Sequence, residues 1–411
     1  MKIIHIVTGF DINYPGGITN YVRNLNIALN DSYGLESKLV FSEGDGDFAR
    51  EVTPDLFLSV DKMKRFSFKF SNKGKDDGLF SDFLAREKPD VIHFHTIYGL
   101  SESILNFINN SGYKYVISVH DYYIACPRIY MVDRNGLPCR SVIKEKCRSC
   151  LSLLEYSDFL RKASEKFHIK LPLIKSDLNA HRNKLMQHFL DKAARILPVS
   201  TRVGEIIKDL TSNKLITVLT IGNESADRFR KRERCSSEFI NLAFIGTLNK
   251  NKGGDLFIDI VNKLKSVSHL KFHFYGRAEA KYADLLRDSG VNNHGGYKPS
   301  ELPSILDGID MGMVLPIWED NGPQVVMEFI NNGVPVIGTS VGGIPDFVKH
   351  QDTGYLFHPD VNEEIDRVID YIRDINRDDI EKLAGNIEPL KTVAMHTNEM
   401  VEMYKGIIKG T

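Results

Sequence analysis

Short runs of β-branched and other apolar residues alternate along this chain with stretches in which apolar positions recur every three or four residues. The first pattern predicts buried strands, and the second predicts amphipathic helices. In the first half, strands are expected at residues 2–7, 38–42, 91–96, 115–119, 196–200 and 215–220. Helices are expected at residues 18–29, 79–87 and 101–108. This alternation is typical of a parallel sheet covered by helices on both faces.

The alternation starts again after a charged stretch at residues 228–234, which is typical of a linker. The second set of strands is expected at residues 241–245, 271–275, 312–315 and 334–338. Its helices are expected at residues 255–264, 280–288, 324–332 and 363–375. We therefore predict an α/β protein of two Rossmann-like, doubly wound domains facing a central cleft, at residues 1–225 and 226–394. A final helix at about residues 395–411 is expected to pack back on the first domain.

Composition limits the classes of protein to which the chain can belong. Of its 411 residues, 42% are hydrophobic and 26% are charged, as in ordinary globular proteins. The 53 basic and 54 acidic residues nearly cancel, so we expect no nucleic acid as a partner. No apolar run is long enough to span a membrane, and the first residues are too polar for a secretory signal. Five cysteines are too few for a disulfide framework, which favours a cytoplasmic protein.

Two familiar phosphate-binding motifs are missing, but two features at predicted strand ends suggest a ligand site. The chain has neither a Gly-x-Gly-x-x-Gly after its first strand nor a P-loop, which weakens dehydrogenase and kinase-like interpretations. Gly16 and Gly17 follow the first strand, where paired glycines serve either a ligand's close approach or any tight turn. His120 follows another strand, at the edge of the sheet where ligands bind. His93 and His95 are interpreted as structural or cleft-edge residues.

A lysine-containing loop follows the first strand of the second domain. The segment reads Gly-Thr-Leu-Asn-Lys-Asn-Lys-Gly from Gly246 to Gly253, and it includes Lys250 and Lys252. Lysines at this edge suit a diphosphate, because they neutralise its charge as it leaves. A plain solvated turn is the alternative.

The richest motif reads Trp-Glu-Asp-Asn-Gly-Pro-Gln-Val-Val-Met-Glu and runs from residue 318 to residue 328. Pro323 suits a first helical turn, where its missing N–H costs nothing. The following helix N-terminus is expected to meet phosphate through the backbone amides of Gln324, Val325 and Val326. Asp320 precedes this helix and Glu328 lies inside it, where a carboxylate either binds ligand hydroxyls or satisfies an internal donor.

Together these features resemble glycosyltransferase family 4, whose members have the two-domain GT-B architecture, over essentially the whole chain. The resemblance implies that Lys252 holds a donor diphosphate and that Glu328 grips the nucleotide ribose. It further implies that Asp320 contacts the transferred sugar and that His120 lies beside that sugar. Two positions depart from the family pattern: Thr247 stands in place of arginine, and Asp320 stands in place of glutamate.

The resemblance implies a retaining hexosyltransferase that moves a sugar from a UDP- or GDP-sugar to a glycan or a lipid-linked glycan. The expected setting is cell-surface polysaccharide or lipopolysaccharide synthesis, and no cofactor is required for catalysis. Thr247 and Asp320 leave two alternatives open. One is a non-catalytic sugar-nucleotide-binding subunit of a glycan assembly complex, and the other is a GT-B-fold sugar-nucleotide epimerase.

Two further features are compatible with more than one interpretation. The cysteines in an insertion at about residues 126–150 form either a structural zinc site or an ordinary set of reduced thiols; they are Cys126, Cys139, Cys147 and Cys150. Basic residues with interleaved apolar ones occur at residues 62–75 and 161–184, the latter within a long, mostly helical stretch. They indicate either solvent-exposed loop and helix faces or a surface that binds the anionic inner face of the cell membrane.

Overall fold

The computed structural model describes residues 1–8, 17–42, 54–58, 77–142, 146–147, 150–156, 158–167, 169–174, 178–231 and 238–410. Gly16 and the basic segment at residues 62–75 therefore lie outside the described residues. The chain divides into two compact units. Unit 1 comprises residues 1–221 and 393–411, and unit 2 comprises residues 222–392. The charged stretch at residues 228–234, which we expected to be the linker, falls inside unit 2.

Unit 1 is built on a parallel sheet whose described strands lie in the order β3-β2-β1-β4-β5-β6. The strands are β1 (Lys2–Val7), β2 (Glu36–Phe41), β3 (Leu56–Phe57), β4 (Val91–Phe94), β5 (Tyr115–Val119) and β6 (Arg195–Pro198). Every residue of β4 and β5 is buried, as expected for strands covered on both faces. The predicted strand at residues 215–220 is wrong: this segment makes an isolated bridge from Ile216 to Ile196 and runs beside β6.

Most helices of unit 1 bury one apolar face in the core of the unit. They are α1 (Gly17–Asp31), α2 (Asp77–Glu87), α3 (Glu102–Ser111), α4 (Asp158–Phe167), α5 (Leu178–Asp191) and α6 (Thr201–Lys208). Ser101 caps α3 because its hydroxyl accepts the Ile104 amide at 3.1 Å. The mostly helical segment expected at residues 151–190 contains a 3₁₀ helix (Leu153–Tyr156), α4 and α5. Pro172 lies between these two helices, where it disfavours continuous helix.

Unit 2 repeats the architecture with a second parallel sheet, whose described strands lie in the order β12-β11-β10-β7-β8-β9. The strands are β7 (Ile240–Leu248), β8 (Leu270–Ala278), β9 (Asn292–Gly295), β10 (Met311–Val314), β11 (Val336–Thr339) and β12 (Gly354–Phe357). Strands β11, β10 and β7 are consecutive in this sheet. Because they are parallel, their carboxyl ends lie at the same edge of the sheet. The order places the loops after these three strands next to one another.

The helices of unit 2 alternate with its strands. They are α7 (Gly254–Leu264), α8 (Ala280–Ser289), α9 (Leu302–Asp307), α10 (Gln324–Asn331), α11 (Asn362–Asp374) and α12 (Arg377–Gly385). Short 3₁₀ helices lie at Glu224–Arg228, Pro299–Glu301 and Ile344–Asp346. Buried side chains such as Phe257, Ile260 and Val261 on α7 join the core above the sheet.

A last described helix, α13 (Val393–Lys409), belongs to unit 1 although unit 2 precedes it in sequence. Its residues Met400, Val401 and Tyr404 are buried in the same cluster as Val22 and Leu25 of α1. None of the helices in the described part of the chain combines the length and the apolarity needed to span a bilayer.

Candidate active site

The loop from β7 to α7 is held against the end of β10. Gly253, the residue before α7, has a φ of +83°, and a Cβ there would lie 1.8 Å from the Leu315 carbonyl oxygen. Glycine is therefore required at this position. The Ile317 amide donates to the Asn251 carbonyl at 2.9 Å, and the Asn249 side chain accepts the Lys252 amide at 2.8 Å. These contacts fix the backbone on both sides of Lys252.

Lys252 and Asp320 meet directly. The Lys252 ammonium lies 2.5 Å from the Asp320 carboxylate, and their side chains are 39% and 10% exposed. The ammonium also lies 5.6 Å from the centre of the Trp318 ring. The Asp320 carboxylate is therefore largely shielded from solvent, whereas the Lys252 ammonium remains accessible to it. The structure therefore brings together two residues 68 positions apart that the sequence nominated independently.

The loop after β11 completes this edge of the sheet. Gly342 has a φ of +61°, and a Cβ there would lie 2.0 Å from the Asp320 carbonyl oxygen. The Gly343 amide donates to that same oxygen at 2.7 Å. Glu319, which the sequence analysis passed over, is 1% exposed, and its carboxylate accepts the Gly342 amide at 2.9 Å. Of the two adjacent acids, Glu319 thus fastens the loops and Asp320 carries the ion pair.

The start of α10 differs slightly from the prediction. Pro323 is the residue before the helix, with a φ of −64° and a ψ of 117°, and not part of its first turn. Proline costs nothing there either, because that position makes no intrahelical N–H bond. The Val326 amide donates to the Pro323 carbonyl at 3.0 Å, so it already has a partner. Gln324 and Val325 are half-buried in the first turn of this helix.

Glu328 lies one turn further along α10 and is half-buried. The Asn223 amide donates to its carboxylate at 3.5 Å. Burial raises the pKa of Glu328, while hydrogen bonds from Asn223 and Ser225 act in the opposite direction. The carboxylate therefore has polar neighbours that orient it within an otherwise apolar helix.

Asn321 is a second residue that the sequence analysis did not single out. It is 6% exposed, and neither atom of its side-chain amide has a hydrogen-bond partner among the described residues. Leaving a buried amide unpaired costs free energy, which hydrogen bonds to a ligand would recover. No sequence pattern distinguishes such an asparagine from one that stabilises the turn before a helix.

The remaining predicted residues of unit 2 are exposed. Lys250 lies on the surface of the β7–α7 loop, and Thr247 is exposed near the end of β7. Thr247 pairs in register with Arg277 of β8, so the two side chains occupy neighbouring positions on adjacent strands. Arg277 thus lies next to the position where the family pattern has its arginine.

Residues Gly338 to Gly342 also match the Gly-x-Ser-x-Gly pattern of hydrolase nucleophiles. Within the described part of the chain, no hydrogen bond joins the Ser340 hydroxyl to a histidine. The Ser340 amide donates to the Phe357 carbonyl at 2.8 Å. The pattern here serves the loop contact at Asp320, and it does not form a nucleophile–base pair.

His120 lies in unit 1, directly after β5, and Gly17 is the first residue of α1. The His120 ring is half-buried, and burial, assisted by His396, lowers its pKa to about 3. Its Nε2 atom lies 3.2 Å from Nδ1 of His95. His120 therefore continues a buried cluster of histidines beneath the edge of the sheet.

This histidine cluster is fully buried. His5 on β1 and His93 on β4 are register partners, and His95 follows His93 on the same face. Nδ1 of His5 lies 2.9 Å from Nε2 of His95. His93 instead contacts two hydroxyls, Tyr404 at 2.6 Å and Ser118 at 2.8 Å. Burial lowers the pKa of all three rings, so they are neutral at pH 7.

Among the four predicted zinc ligands, Cys139 and Cys150 lie close enough to Cys126 to help raise its pKa, although burial is the main cause. In the described part of the chain, only His5, His93 and His95 place three ligand atoms within 4.8 Å of one another. None of the four cysteines is in a disulfide. Arg128 donates to the Cys150 sulfur at 3.4 Å, and Lys146 donates to the Cys139 sulfur at 3.7 Å. A zinc site at Cys126, Cys139, Cys147 and Cys150 stays a prediction, which elemental analysis of the protein purified without chelator would test.

Two family models match the chain. The model described as "Glycosyltransferase Family 4" matches residues 15–221, and the one described as "Glycosyl transferases group 1" matches residues 240–374. A curated relative, an uncharacterized 41.2 kDa protein in the cps region of Klebsiella pneumoniae, is 28% identical over 35% of this chain and 41% of its own. A 42.6 kDa protein of that region is 23% identical over 80% of this chain and 74% of its own. A D-inositol 3-phosphate glycosyltransferase of Corynebacterium aurimucosum is 31% identical over 28% of this chain and 31% of its own.

Solved structures share the fold. HepE of Anabaena in complex with UDP-glucose superposes with a TM-score of 0.65 at 13% identity, over 99% of this chain and 100% of that one. Sucrose-phosphate synthase of Thermosynechococcus elongatus gives 0.69 at 14% identity, with both chains fully covered. The predicted GT-B fold of two parallel-sheet α/β domains is confirmed. With one family model covering half of its residues and the second matching the other unit, the chain belongs to glycosyltransferase family 4.

Proposed function

We propose that this protein transfers a sugar from a nucleotide-sugar donor to a hydroxyl acceptor with retention of configuration. The observation that carries the proposal is the interlocked edge of unit 2, where Gly253, Gly342 and Leu315 fix the loops that bear Lys252 and Asp320. A cation and a carboxylate held in rigid loops are preorganised for charge that develops during transfer. Family membership supports the same assignment.

In the proposed reaction, the bond between the anomeric carbon and the donor diphosphate breaks as the acceptor oxygen bonds to the same face. The acceptor proton passes to the departing diphosphate. Lys252 neutralises charge on that diphosphate, and Asp320 stabilises positive charge at the sugar. A ligand diphosphate competes with Asp320 for Lys252, so the ion pair loosens as the donor binds. Asn321 offers its unpaired amide to the sugar hydroxyls.

The proposed donor is a UDP- or GDP-sugar. HepE, which shares the fold, was solved with UDP and with UDP-glucose, which favours screening uridine donors first. The test is a thermal-shift screen of the purified chain over UDP-, GDP- and ADP-sugars. A ligand at 100 times its dissociation constant stabilises the protein by about 2.7 kcal/mol. A shift with one donor, followed by transfer to a glycan acceptor, supports the proposal, whereas no shift with any nucleotide sugar contradicts it.

Glu328→Gln is expected to raise the donor KM about tenfold while leaving kcat near the parent value. The resemblance assigns this carboxylate to the ribose, a contact that is equal in ground and transition states. Hydrogen bonds to a charged group are worth about 1.5–3 kcal/mol, which corresponds to at least a tenfold change. The measurement is steady-state kinetics with the identified donor.

A matched control is Glu364→Gln, which alters another glutamate of unit 2, one that accepts the His358 amide at 2.6 Å. This variant is expected to keep the parent KM. If Glu328→Gln instead lowers kcat at an unchanged KM, the carboxylate acts on the reacting centre and not on the ribose.

Thr247 motivates the alternative of a non-catalytic binding subunit, because it removes a cation from the family pattern. The register partner Arg277 favours catalysis, since it carries a guanidinium on the neighbouring strand position. Arg277 is therefore proposed to supply the charge that Thr247 lacks. A protein that binds nucleotide sugar but transfers it to no acceptor in a broad panel would support the binding-subunit alternative.

The proposed acceptor is a growing cell-surface glycan. Two relatives are proteins of the cps region of Klebsiella pneumoniae, which supports a role in polysaccharide synthesis. A lipid-linked acceptor would lie at a membrane, and unit 1 carries a surface suited to one.

This apolar-basic surface consists of Phe159, Lys166, Phe167, Ile169 and Lys170. Its apolar members are 79%, 62% and 62% exposed for Phe159, Phe167 and Ile169. Three large apolar side chains this exposed within 11 residues are unusual for a surface bathed only in water. Lysines beside them suit anionic headgroups, so we propose that this surface contacts an anionic membrane.

Replacing both Phe159 and Phe167 with serine is expected to lower binding to anionic vesicles about tenfold or more. Burying one phenylalanine contributes about 1.5–3 kcal/mol. Co-sedimentation with phosphatidylglycerol-containing vesicles measures the effect. The control is Leu79→Ser, which removes a 55% exposed apolar side chain from α2 of the same unit. Equal binding by the double variant and the parent would remove the membrane proposal.

A further inference from the structure

Three histidines of unit 1 form a single hydrogen-bonded chain. Nδ1 of His5 lies 2.9 Å from Nε2 of His95, and Nδ1 of His95 lies 3.2 Å from Nε2 of His120. His95, the middle ring, thus uses Nε2 towards His5 and Nδ1 towards His120. The rings of His5 and His95 are fully buried, and that of His120 is half-buried. The chain therefore runs from the protein interior towards the surface and ends at His120.

Neutral imidazoles can satisfy this chain in two ways. A neutral ring has one N–H and one lone pair, so each contact needs a donor facing an acceptor. In the first arrangement all three rings carry the proton on Nδ1, and the N–H of His120 is presented at the surface end. In the second arrangement all three carry it on Nε2, and His120 presents a lone pair there. Any mixture of the two places two donors or two acceptors opposite each other.

The buried end of the chain distinguishes the two arrangements. Nε2 of His5 has no hydrogen-bond partner among the described residues and is shielded from solvent. The second arrangement would leave a buried N–H without an acceptor, whereas the first leaves only a lone pair. Orphaned buried N–H groups are rarer than under-satisfied acceptors. The first arrangement is therefore favoured. In it, His5 donates a hydrogen bond to His95, and His95 donates one to His120.

We propose that His5 and His95 are positioning residues that hold His120 in the Nδ1–H form, so that His120 is a hydrogen-bond donor to the ligand. This inference rests on the proposed function only for the identity of that ligand. An N–H at this position suits a sugar hydroxyl or a phosphate oxygen as acceptor. It excludes His120 as a general base through Nδ1, because no lone pair is available there.

His93 provides the contrast within the same cluster. Its ring centre lies 3.9 Å from that of His95, and it is equally buried. Its two nitrogens face the hydroxyls of Tyr404 and Ser118. Hydroxyls rotate to act as donor or acceptor, so His93 imposes no proton position on its neighbours. A variant of His93 perturbs the same core without altering the chain.

The test is the tautomer of His120, read by long-range ¹H–¹⁵N correlation in the full chain labelled with ¹⁵N-histidine at pH 7.5. The signal of His120 is identified by its loss in His120→Asn. We expect about a tenfold excess of the Nδ1–H form in the parent. His5→Asp replaces the N–H that faces Nε2 of His95 with a carboxylate, which only accepts, and is expected to reverse the excess in favour of the Nε2–H form. His93→Phe is expected to keep the parent tautomer.

A matched variant separates positioning from packing. His5→Asn has the same size as His5→Asp but places an amide N–H near the original Nδ1 donor, and it is expected to keep the Nδ1–H form. If His5→Asp does not fold, His95→Asp and His95→Asn provide the same comparison one link closer to His120. An Nε2–H form in the parent, or an Nδ1–H form that persists in the aspartate variant, would overturn the proposal.

A kinetic measurement then connects the tautomer with the reaction. His5→Asp is expected to lower kcat for sugar transfer about tenfold, and His5→Asn is expected to keep the parent kcat. The NMR result does not depend on activity. A protein with the expected tautomers but no transferase activity would contradict the proposed function and leave the positioning role intact.

Discussion

Lys252→Ala is expected to lower kcat for sugar transfer by about 10²–10³, the usual loss on removing one preorganised electrostatic partner. Negative charge builds on the diphosphate as the sugar departs, and the ammonium is held beside Asp320 at 2.5 Å, ready to meet it. Asp320→Asn is expected to lower kcat to a similar extent, because positive charge at the sugar loses its carboxylate. Steady-state kinetics with the identified donor measure both effects.

The control for these variants is Lys281→Ala. Lys281 forms a pair with Asp255 at 2.6 Å in the same unit, but both side chains are more than half exposed. Such a surface pair contributes little to stability or activity, so this variant is expected to transfer sugar at the parent rate. If Lys252→Ala and Asp320→Asn also retain the parent rate and KM, the active site has been assigned to the wrong edge of unit 2.

Unit 1 is expected to lose about 5 kcal/mol of unfolding free energy between pH 7.5 and pH 5.5 from four histidines whose pKa values burial lowers. Burial lowers the pKa values of His5 and His120 to about 3 and those of His93 and His95 well below 6.5. Below pH 6.5 the unfolded chain therefore binds protons that the folded chain does not. This stability is complete above pH 6.5 and is lost as the pH falls towards the folded-state values. Denaturant titration at the two pH values measures it.

Two variants test the origin of this pH dependence. His93→Phe is expected to reduce the loss between the two pH values by about one quarter, because one of the four rings no longer titrates. His188→Gln removes a histidine that is exposed on α5 of the same unit and is expected to leave the loss unchanged. Equal losses in His93→Phe and the parent would show that protonation of the buried rings is not the cause.

The pattern of apolar residues predicted the two parallel sheets well, because strands buried on both faces are continuous apolar runs. The edge strand β9 was missed, since three of its four residues are exposed and its sequence, Asn-Asn-His-Gly, has no apolar pattern. The segment at residues 215–220 shows the opposite error. It has strand-like composition, yet apolar composition alone does not determine whether a segment completes a ladder.

The residues of the candidate site could be predicted where their position in the strand–loop–helix pattern of the sequence already places them at the ligand-binding edge of the sheet. Lys252 and Asp320 lie in loops that follow strands, and Glu328 lies in the helix after one of these loops; such loops converge in any doubly wound sheet. Glu319 and Asn321 could not be found in this way. The role of Glu319 depends on its hydrogen bond from the Gly342 amide, and that of Asn321 on burial without a partner among the described residues. Both follow from tertiary packing. The histidine chain likewise joins a residue of β1 to the residues that directly follow β4 and β5, and no local pattern specifies how these strands pair.

The position of α13 has a consequence for the order in which the two units fold during synthesis. Unit 1 needs Tyr404 of α13 to bind His93 and close its core, but the ribosome makes all of residues 222–392 before it reaches this helix. Unit 2 is therefore synthesised completely at a stage when unit 1 still lacks α13, which covers part of its apolar core. Until α13 docks, nascent unit 1 exposes the apolar surface around Val22 and Leu25, and exposed apolar surface of this kind makes an incompletely folded chain prone to aggregation.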